Sequence, residues 1–255
     1  MAQVWDLERQ ELVGELAQPF TSTNGVRWSH GATRILTIGN PSSGVLWELS
    51  SKAEVRRFEI TGTSYFKSGE ISRDGRRLAL GHTGLLKLFE VDSGSVLASV
   101  KLPNSRFIKD LAFSLDGKVL ASAQAGGHLT ILDAETGQVI KELQVSNTDV
   151  LGVRFTPNRR FVCTSNFGGT LQIWDIESNQ PIATVKTQLG TNDRFALSQD
   201  GRFAVTASGE EWDDESKKWK ANGDYALRLW RLPRSVWNEP SRPATGKAAE
   251  KPELD

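Results

Sequence analysis

The sequence is poor in several residue types, and each shortage removes a class of function. Its 255 residues contain a single cysteine, Cys163. No intrachain disulfide is therefore available, and a reducing compartment, the cytoplasm, is expected. No apolar run approaches the roughly 20 residues that a membrane-spanning helix requires, and the first residues lack the basic-then-apolar order of a secretion signal. Charge of one sign is not in excess: 31 Lys and Arg balance 31 Asp and Glu. No global field draws the chain to nucleic acid or to an acidic membrane, and neither is expected as a partner. Histidine is scarce, with His30, His82 and His128 far apart and without nearby cysteine, so no metal site is expected. No Gly-x-Ser-x-Gly elbow is present, and the Gly126-Gly127 and Gly168-Gly169 pairs open no helix, so no nucleophile elbow or phosphate loop is expected. These readings imply no cofactor.

What is present is a period. An apolar-polar-apolar run ending in an aromatic or large apolar residue, often followed by an acid, recurs with anchors at Trp5, Trp47, Phe89, Leu132, Trp174 and Trp230. The spacings are 42, 42, 43, 42 and 56 residues. A second marker keeps the same beat. The turn strings beginning at Ser72, Ser114, Thr156 and Ser198 are each 42 residues apart, three of them reading Ser-x-Asp-Gly, and Ser29 begins a looser copy. Asp-Gly between alternating runs signals a hairpin, because the turn needs a residue that tolerates positive φ.

Each period divides into four short strands. In the third unit these are 110–114, 119–124, 129–133 and 139–143, with Asp116-Gly117, Ala125-Gly126-Gly127 and Glu135-Thr136-Gly137 as turns. A four-stranded sheet with two apolar faces cannot bury both alone, and stacking such sheets as propeller blades does so while leaving short edges. By two-residue alternation, Leu111 and Phe113 share one face of strand one, and Val26 with Trp28, Val153 with Phe155 and Phe195 with Leu197 are their counterparts. All four pairs are expected to pack blade on blade.

The Ser-x-Asp-Gly turn followed by the Trp-Asp string resembles the WD40 repeat, over residues 1 to about 232. The resemblance implies an all-β fold: a β-propeller of four-stranded antiparallel blades, with five complete WD40-like repeats plus an N-terminal half blade. It also implies a scaffold that binds protein or peptide partners on one rim, and no enzyme. The alternative is a propeller enzyme, or a small-molecule or redox-cofactor propeller, with its site in the central channel. The copies are degenerate. The Gly-His pair usual before strand one is missing, and the Asp usual before strand three survives clearly only as Asp224, so the buried Trp-centred hydrogen-bond network is expected to be mostly lost.

The half blade consists of a third strand, 3–7, and a fourth, 11–16. Rings of the family usually have seven blades, and three arrangements fit this count: the end of a larger propeller, a five-bladed ring in which 11–16 complete the last blade, or a ring completed by a second chain. In the first case other domains of a longer parent chain are also partners.

The propeller is assigned to residues 1–235. Residues 236–255, within a stretch from 233 that holds four of the nine prolines and equal numbers of acids and bases, read as a disordered tail.

Candidate sites follow from the departures. The last spacing carries an insert near 210–223, acid-rich then Lys-rich, with Trp212 and Trp219 one in each half. A hairpin with facing indoles and cross-strand charge pairs is expected there, either as a solvated elaboration or as a contact finger. The loops entering strand one share its rim and contribute Phe20, Tyr65, Arg106, Phe107, Asn147, Asp149 and Asn192. Such Ser/Asn-rich composition suits recognition, and it is also what turns in general favour. Arg27, Glu70 and Arg154 occupy equivalent positions on three first strands and face away from the packing pairs. They either line the channel or form inter-blade ion pairs, and pairing is favoured because charges near an interior need partners.

Overall fold

The computed structural model describes residues 2–17, 19–29, 31, 33–40, 43–60, 68–103, 107–187, 195–207, 210–213, 216, 218–221 and 226–237. The chain is all-β apart from short turns and one helical turn. A hairpin, β1 (Ala2–Asp6) and β2 (Glu11–Leu16), comes first. The first sheet holds β3 (Ser22–Trp28), β4 (Arg34–Asn40), β5 (Ser43–Glu48) and β6 (Ala53–Glu59). The second holds β7 (Ser68–Ile71), β8 (Arg77–His82), β9 (Leu85–Glu90) and β10 (Val96–Lys101). The third holds β11 (Ile108–Phe113), β12 (Val119–Gln124), β13 (His128–Asp133) and β14 (Val139–Gln144), and the fourth β15 (Val150–Phe155), β16 (Phe161–Asn166), β17 (Thr170–Asp175) and β18 (Gln180–Lys186). The fifth has three strands, β19 (Phe195–Leu197), β20 (Phe203–Ala207) and β23 (Leu227–Arg231), and is interrupted by the hairpin β21 (Glu210–Asp213) and β22 (Lys218–Ala221). The helical turn α1 (Arg234–Trp237) follows. Every full sheet is an antiparallel meander in chain order, the blade of a β-propeller. The chain therefore carries five successive blades and a half blade, as the period predicts.

The recurring turn explains the recurring strands. Ser72 Oγ donates to Asp74 Oδ1 at 2.6 Å and accepts from the Arg77 amide at 2.9 Å, while the Arg76 amide donates to the same carboxylate at 3.0 Å. Ser114 with Asp116 and Ser198 with Asp200 repeat this, and Thr156 with Asn158 substitutes in the fourth copy. Gly75, Gly117 and Gly201 take φ near +70° in these turns, and Arg159 is held at +50° where the fourth copy has no glycine. The acid that ends strand three closes the next turn in the same way. Asp133 accepts from the Glu135 and Thr136 amides and Asp6 from those of Glu8 and Arg9, fixing the turn to strand four.

The described residues form two compact units. In the first, residues 1–120 with 131–140, apolar faces stack sheet on sheet. Leu36, Ile38, Leu46 and Phe58 of the first sheet meet Ile71, Leu78, Leu80 and Phe89 of the second. Leu86 and Leu88 meet Ile108, Leu111 and Leu120. Val4 and Leu16 of the initial hairpin cover Ile35, Val45 and Trp47 on the opposite face of the first sheet. In the second unit, residues 121–130 with 141–255, Phe161, Cys163, Leu171 and Ile173 meet Phe195, Ala204 and Leu232. Val236 is fully buried in that same cluster, so the packed domain runs past residue 235 into α1. Of the expected tail, 236–255, residues 238–255 lie outside the described residues.

Two expectations require correction. Leu111, Val153 and Phe195 are buried as expected, but Val26 and Trp28 are 43% and 51% exposed, because nothing among the described residues covers that part of β3. The tryptophan network is also less eroded than the missing Gly-His pairs suggest. Trp47 Nε1 donates to Thr37 Oγ1 at 2.8 Å and Trp230 Nε1 to Thr206 Oγ1 at 3.0 Å, each reaching its own strand two. Trp174 Nε1 is the exception, buried without a partner. Thr37 and Thr206 of strand two hold their indoles without a histidine, whereas Thr164, at the same place in the fourth sheet, does not hold Trp174. Asp224 lies outside the described residues.

Candidate functional site

Of the expected site residues, Phe20, Phe107, Asn147 and Asp149 stand just before strands one, at the edge where strands two end. In the second unit it is braced from within. Gln144 Nε2 donates to the carbonyls of Gly126 and Ser146 at 2.7 and 2.6 Å. Asp149 Oδ1 accepts from the Gly126 amide at 2.8 Å, and Asn166 Nδ2 donates to Ser146 Oγ at 3.1 Å. Asp149 thus fastens the turn before strand three rather than presenting its carboxylate freely. Asn147, next to this bracing, is exposed. Phe167, which composition did not single out, is 38% exposed in the turn before β17. The signal that marks it is an aromatic at a turn position whose geometry asks only for Asn or Gly.

The insert of the fifth sheet is the hairpin that its sequence predicts. Elsewhere strands two and three are joined by residues 41–42, 83–84, 125–127 or 167–169, whereas here residues 208–226 intervene. β21 and β22 pair antiparallel with Trp212 opposite Trp219, Glu211 opposite Lys220 and Asp213 opposite Lys218. The acid-rich half and the Lys-rich half therefore stand in register, which places opposite charges across the ladder.

In the first unit Phe107 is 52% exposed, with Lys109 Nζ 6.0 Å from its ring centre. Phe20 is a packing residue. It is half-buried against the cluster of Val4, Leu16 and Ile35, and its ring lies where a side chain on Gly39 would stand, with 2.4 Å between a Cβ there and Phe20 Cγ. Tyr65, Arg106 and Asn192 lie outside the described residues.

On the opposite edge of the first strands, charged residues converge. Arg27 Nε donates to Glu70 Oε2 at 2.8 Å, and its Nη2 to Asp110 Oδ1 at 3.3 Å. One guanidinium thus ties together strand one of three successive sheets. Its partners' side chains are only 16% and 10% exposed, so this is a shielded network rather than a surface pair. Asp110 was not anticipated, because it stands two residues before the position equivalent to Arg27 and Glu70, where the third sheet has Ala112. Arg154 has a different neighbour, its guanidinium carbon lying 6.0 Å from the Phe195 ring centre. Cys163 is fully buried, and burial pushes its thiol up to about 12, so it is not a nucleophile at neutral pH.

Comparisons with known proteins agree with this architecture. A family model described as the anaphase-promoting complex subunit 4 WD40 domain matches residues 101–156. The chain is 24% identical over 192 residues to WD repeat-containing protein 1 of Mus musculus, covering 71% of the chain and 31% of that protein. It is 30% identical over 137 residues to WD repeat-containing protein SL1-17 of Schistosoma mansoni, covering 53% of the chain and 44% of that protein. It is 26% identical over 150 residues to small ribosomal subunit protein RACK1 of Brassica napus, covering 56% of the chain and 44% of that protein. The chain spans less than half the length of each of these relatives.

Proposed function

We propose that this chain, a WD40-repeat β-propeller protein with degenerate repeats, is a non-catalytic scaffold that binds protein or peptide partners through one rim of its blades. The observation that carries the proposal is the β21–β22 hairpin. It is the one break in an otherwise regular period, and it sets Trp212 opposite Trp219 between ladders of opposite charge. Tryptophan is over-represented among residues that dominate binding energy. Asn147 and Phe167, beside the bracing of Asp149 and Gln144, extend the proposed surface in the second unit. The lone, buried Cys163 supports placement in the reducing cytoplasm. A balanced net charge supports protein rather than nucleic-acid or membrane partners. Against the catalytic alternative, Arg27 is engaged by Glu70 and Asp110 in a network that links three strands.

The test is affinity capture with the full chain, with a chain lacking residues 211–221, and with the Trp212→Ala, Trp219→Ala double variant. Partners retained by the full chain and lost from both variants, at unchanged melting temperature, support the proposal. Partners and affinities that are the same for all three chains contradict it.

A further inference from the structure

Strand four of one sheet meets the turn before strand four of the next at a place that recurs with the period. Nine residues after the anchors Trp5, Trp47, Phe89 and Leu132 stand Gly14, Arg56, Ala98 and Lys141, each on a strand four. Five residues after Trp47, Phe89, Leu132 and Trp174 stand Lys52, Gly94, Gly137 and Asn179, each ending the turn of the following sheet. All four turn residues hold a positive φ, between +57° and +76°.

The two members of a pair share one volume and fill it in opposite ways. At the first junction the turn supplies the side chain. Lys52 lies over Gly14, where a Cβ would come within 2.7 Å of Lys52 Cδ. At the second the strand supplies it. Arg56 lies over Gly94, where a Cβ would stand 2.6 Å from Arg56 Nη1, and Arg56 Nη2 donates to the Asp92 carbonyl at 2.9 Å. At the third the strand leaves no room at all, since a Cβ on Gly137 would stand 2.5 Å from Ala98 Cβ and 2.9 Å from Val100 Cγ2. At the fourth, Lys141 reaches from strand four, and its Nζ donates to the carbonyls of Ile176 and, at 3.3 Å, Glu177, in the turn that Asn179 ends. A long side chain thus comes from one partner or from neither, and at no junction from both. The turn itself does not ask for Lys52, because glycine takes a positive φ without the strain that a lysine bears there.

We infer that these two positions together are a specificity-determining contact between neighbouring sheets. A turn carrying Lys52 stacks only on a strand four that is small at the facing place. A strand four carrying Arg56 or Lys141 stacks only on a turn that leaves that place open. Sheets built from one repeat present similar apolar faces, so burial alone does not tell the right neighbour from a wrong one. Lys52 set against Arg56 or Lys141 would bring two long cations into one volume. The first sheet of one copy is thereby barred from stacking on the first or third sheet of another, which is a route to swapped assemblies.

The experiment is a double-variant cycle in the full chain, read by thermal melting. Gly137→Lys should lower the melting temperature by about 5 °C through overpacking against Ala98. Adding Ala98→Gly recreates the Gly14–Lys52 arrangement at the third junction and should recover most of that loss, although Ala98→Gly alone is destabilising. Gly75→Lys reports the backbone strain by itself, since Gly75 has φ +72° and nothing nearer than 4.0 Å to a Cβ, and Ala98→Gly should not rescue it. A double variant no more stable than Gly137→Lys would overturn the inference. Should Gly137→Lys fail to fold, Gly94→Lys with and without Arg56→Gly is read in the same way, with rescue expected and its absence contradicting the shared volume. Specificity has its own readout. Lys52→Gly, refolded at high concentration, should leave a larger oligomeric fraction in sedimentation than the parent chain does, and equal fractions would reduce the pair to a packing contact.

Discussion

Leu171 in the fourth blade and Leu227 in the fifth occupy the same place in the repeat, yet the first is 1% exposed and the second 76%. The same holds for Ile173 and Leu229, at 3% and 70%. Strand three of the fourth blade lies beneath Phe195, Ala204 and Leu232 of the fifth, whereas Leu227 and Leu229 have no such cover among the described residues. Trp47 and Trp5 repeat the contrast within the first unit. The difference shows that a blade of this chain is stabilised chiefly by its neighbour. The repeat supplies an apolar face, and the next sheet decides whether that face contributes to stability.

The largest effect should come from truncating the covered member of such a pair. Leu171→Ala is expected to cost about 2–5 kcal/mol by leaving a cavity, while Leu227→Ala should stay within about 0.5 kcal/mol. Urea unfolding of the two variants measures this, and equal losses would break the comparison. Next in size is the charge network. β3 is bare on the Val26 face but tied on the other by Arg27. Glu70→Gln should therefore cost about 1–3 kcal/mol, because the guanidinium is left short of a charged partner. An unchanged melting temperature would show that the network holds nothing in place. A smaller contrast separates the indoles. Trp47→Phe should lose about 1 kcal/mol with its bond to Thr37. Trp174→Phe and Trp5→Phe should lose less, the one because its N–H has no partner, the other because it is exposed.

The smallest effect is with pH. Burial works against the charged form of Asp175, but the hydrogen bond from Arg160, with the Glu177 and Ser178 amides, outweighs it and holds the carboxyl below its ordinary value. A folded pKa below the unfolded one means that this stability is present above the unfolded value of about 3.9 and is lost as pH falls below it. Asp175→Asn should accordingly lower stability at neutral pH and flatten the acid limb of the stability curve. A limb as steep as that of the parent chain would show that Asp175 contributes nothing to it.

Much of this fold was legible because its turns are chemical. Ser-x-Asp-Gly marks both the hairpin and its hydrogen bonds, so the third blade's strands fall at 108–113, 119–124, 128–133 and 139–144, within two residues of their sequence positions. The β21–β22 register was legible for a similar reason, since the order of acids and lysines fixes which residues face each other. Exposure was not. Alternation identifies Val26, Trp28, Leu227 and Leu229 as residues of an apolar face but carries no information on whether a sheet lies over it. Asp110 was missed because ion pairing between blades depends on side-chain reach, not on repeat position. Phe20 was read as a recognition residue, and it is half-buried because Gly39 leaves room for its ring.

The most direct measurement is native-state hydrogen exchange of the full chain, read on all strands three in one sample. Strong protection is predicted in β5, β9, β13 and β17, and exchange faster by orders of magnitude in β1 and β23, each of which pairs on one side only among the described residues. Protection of β1 equal to that of β5 would contradict the claim that a blade of this protein is only as stable as the sheet that covers it.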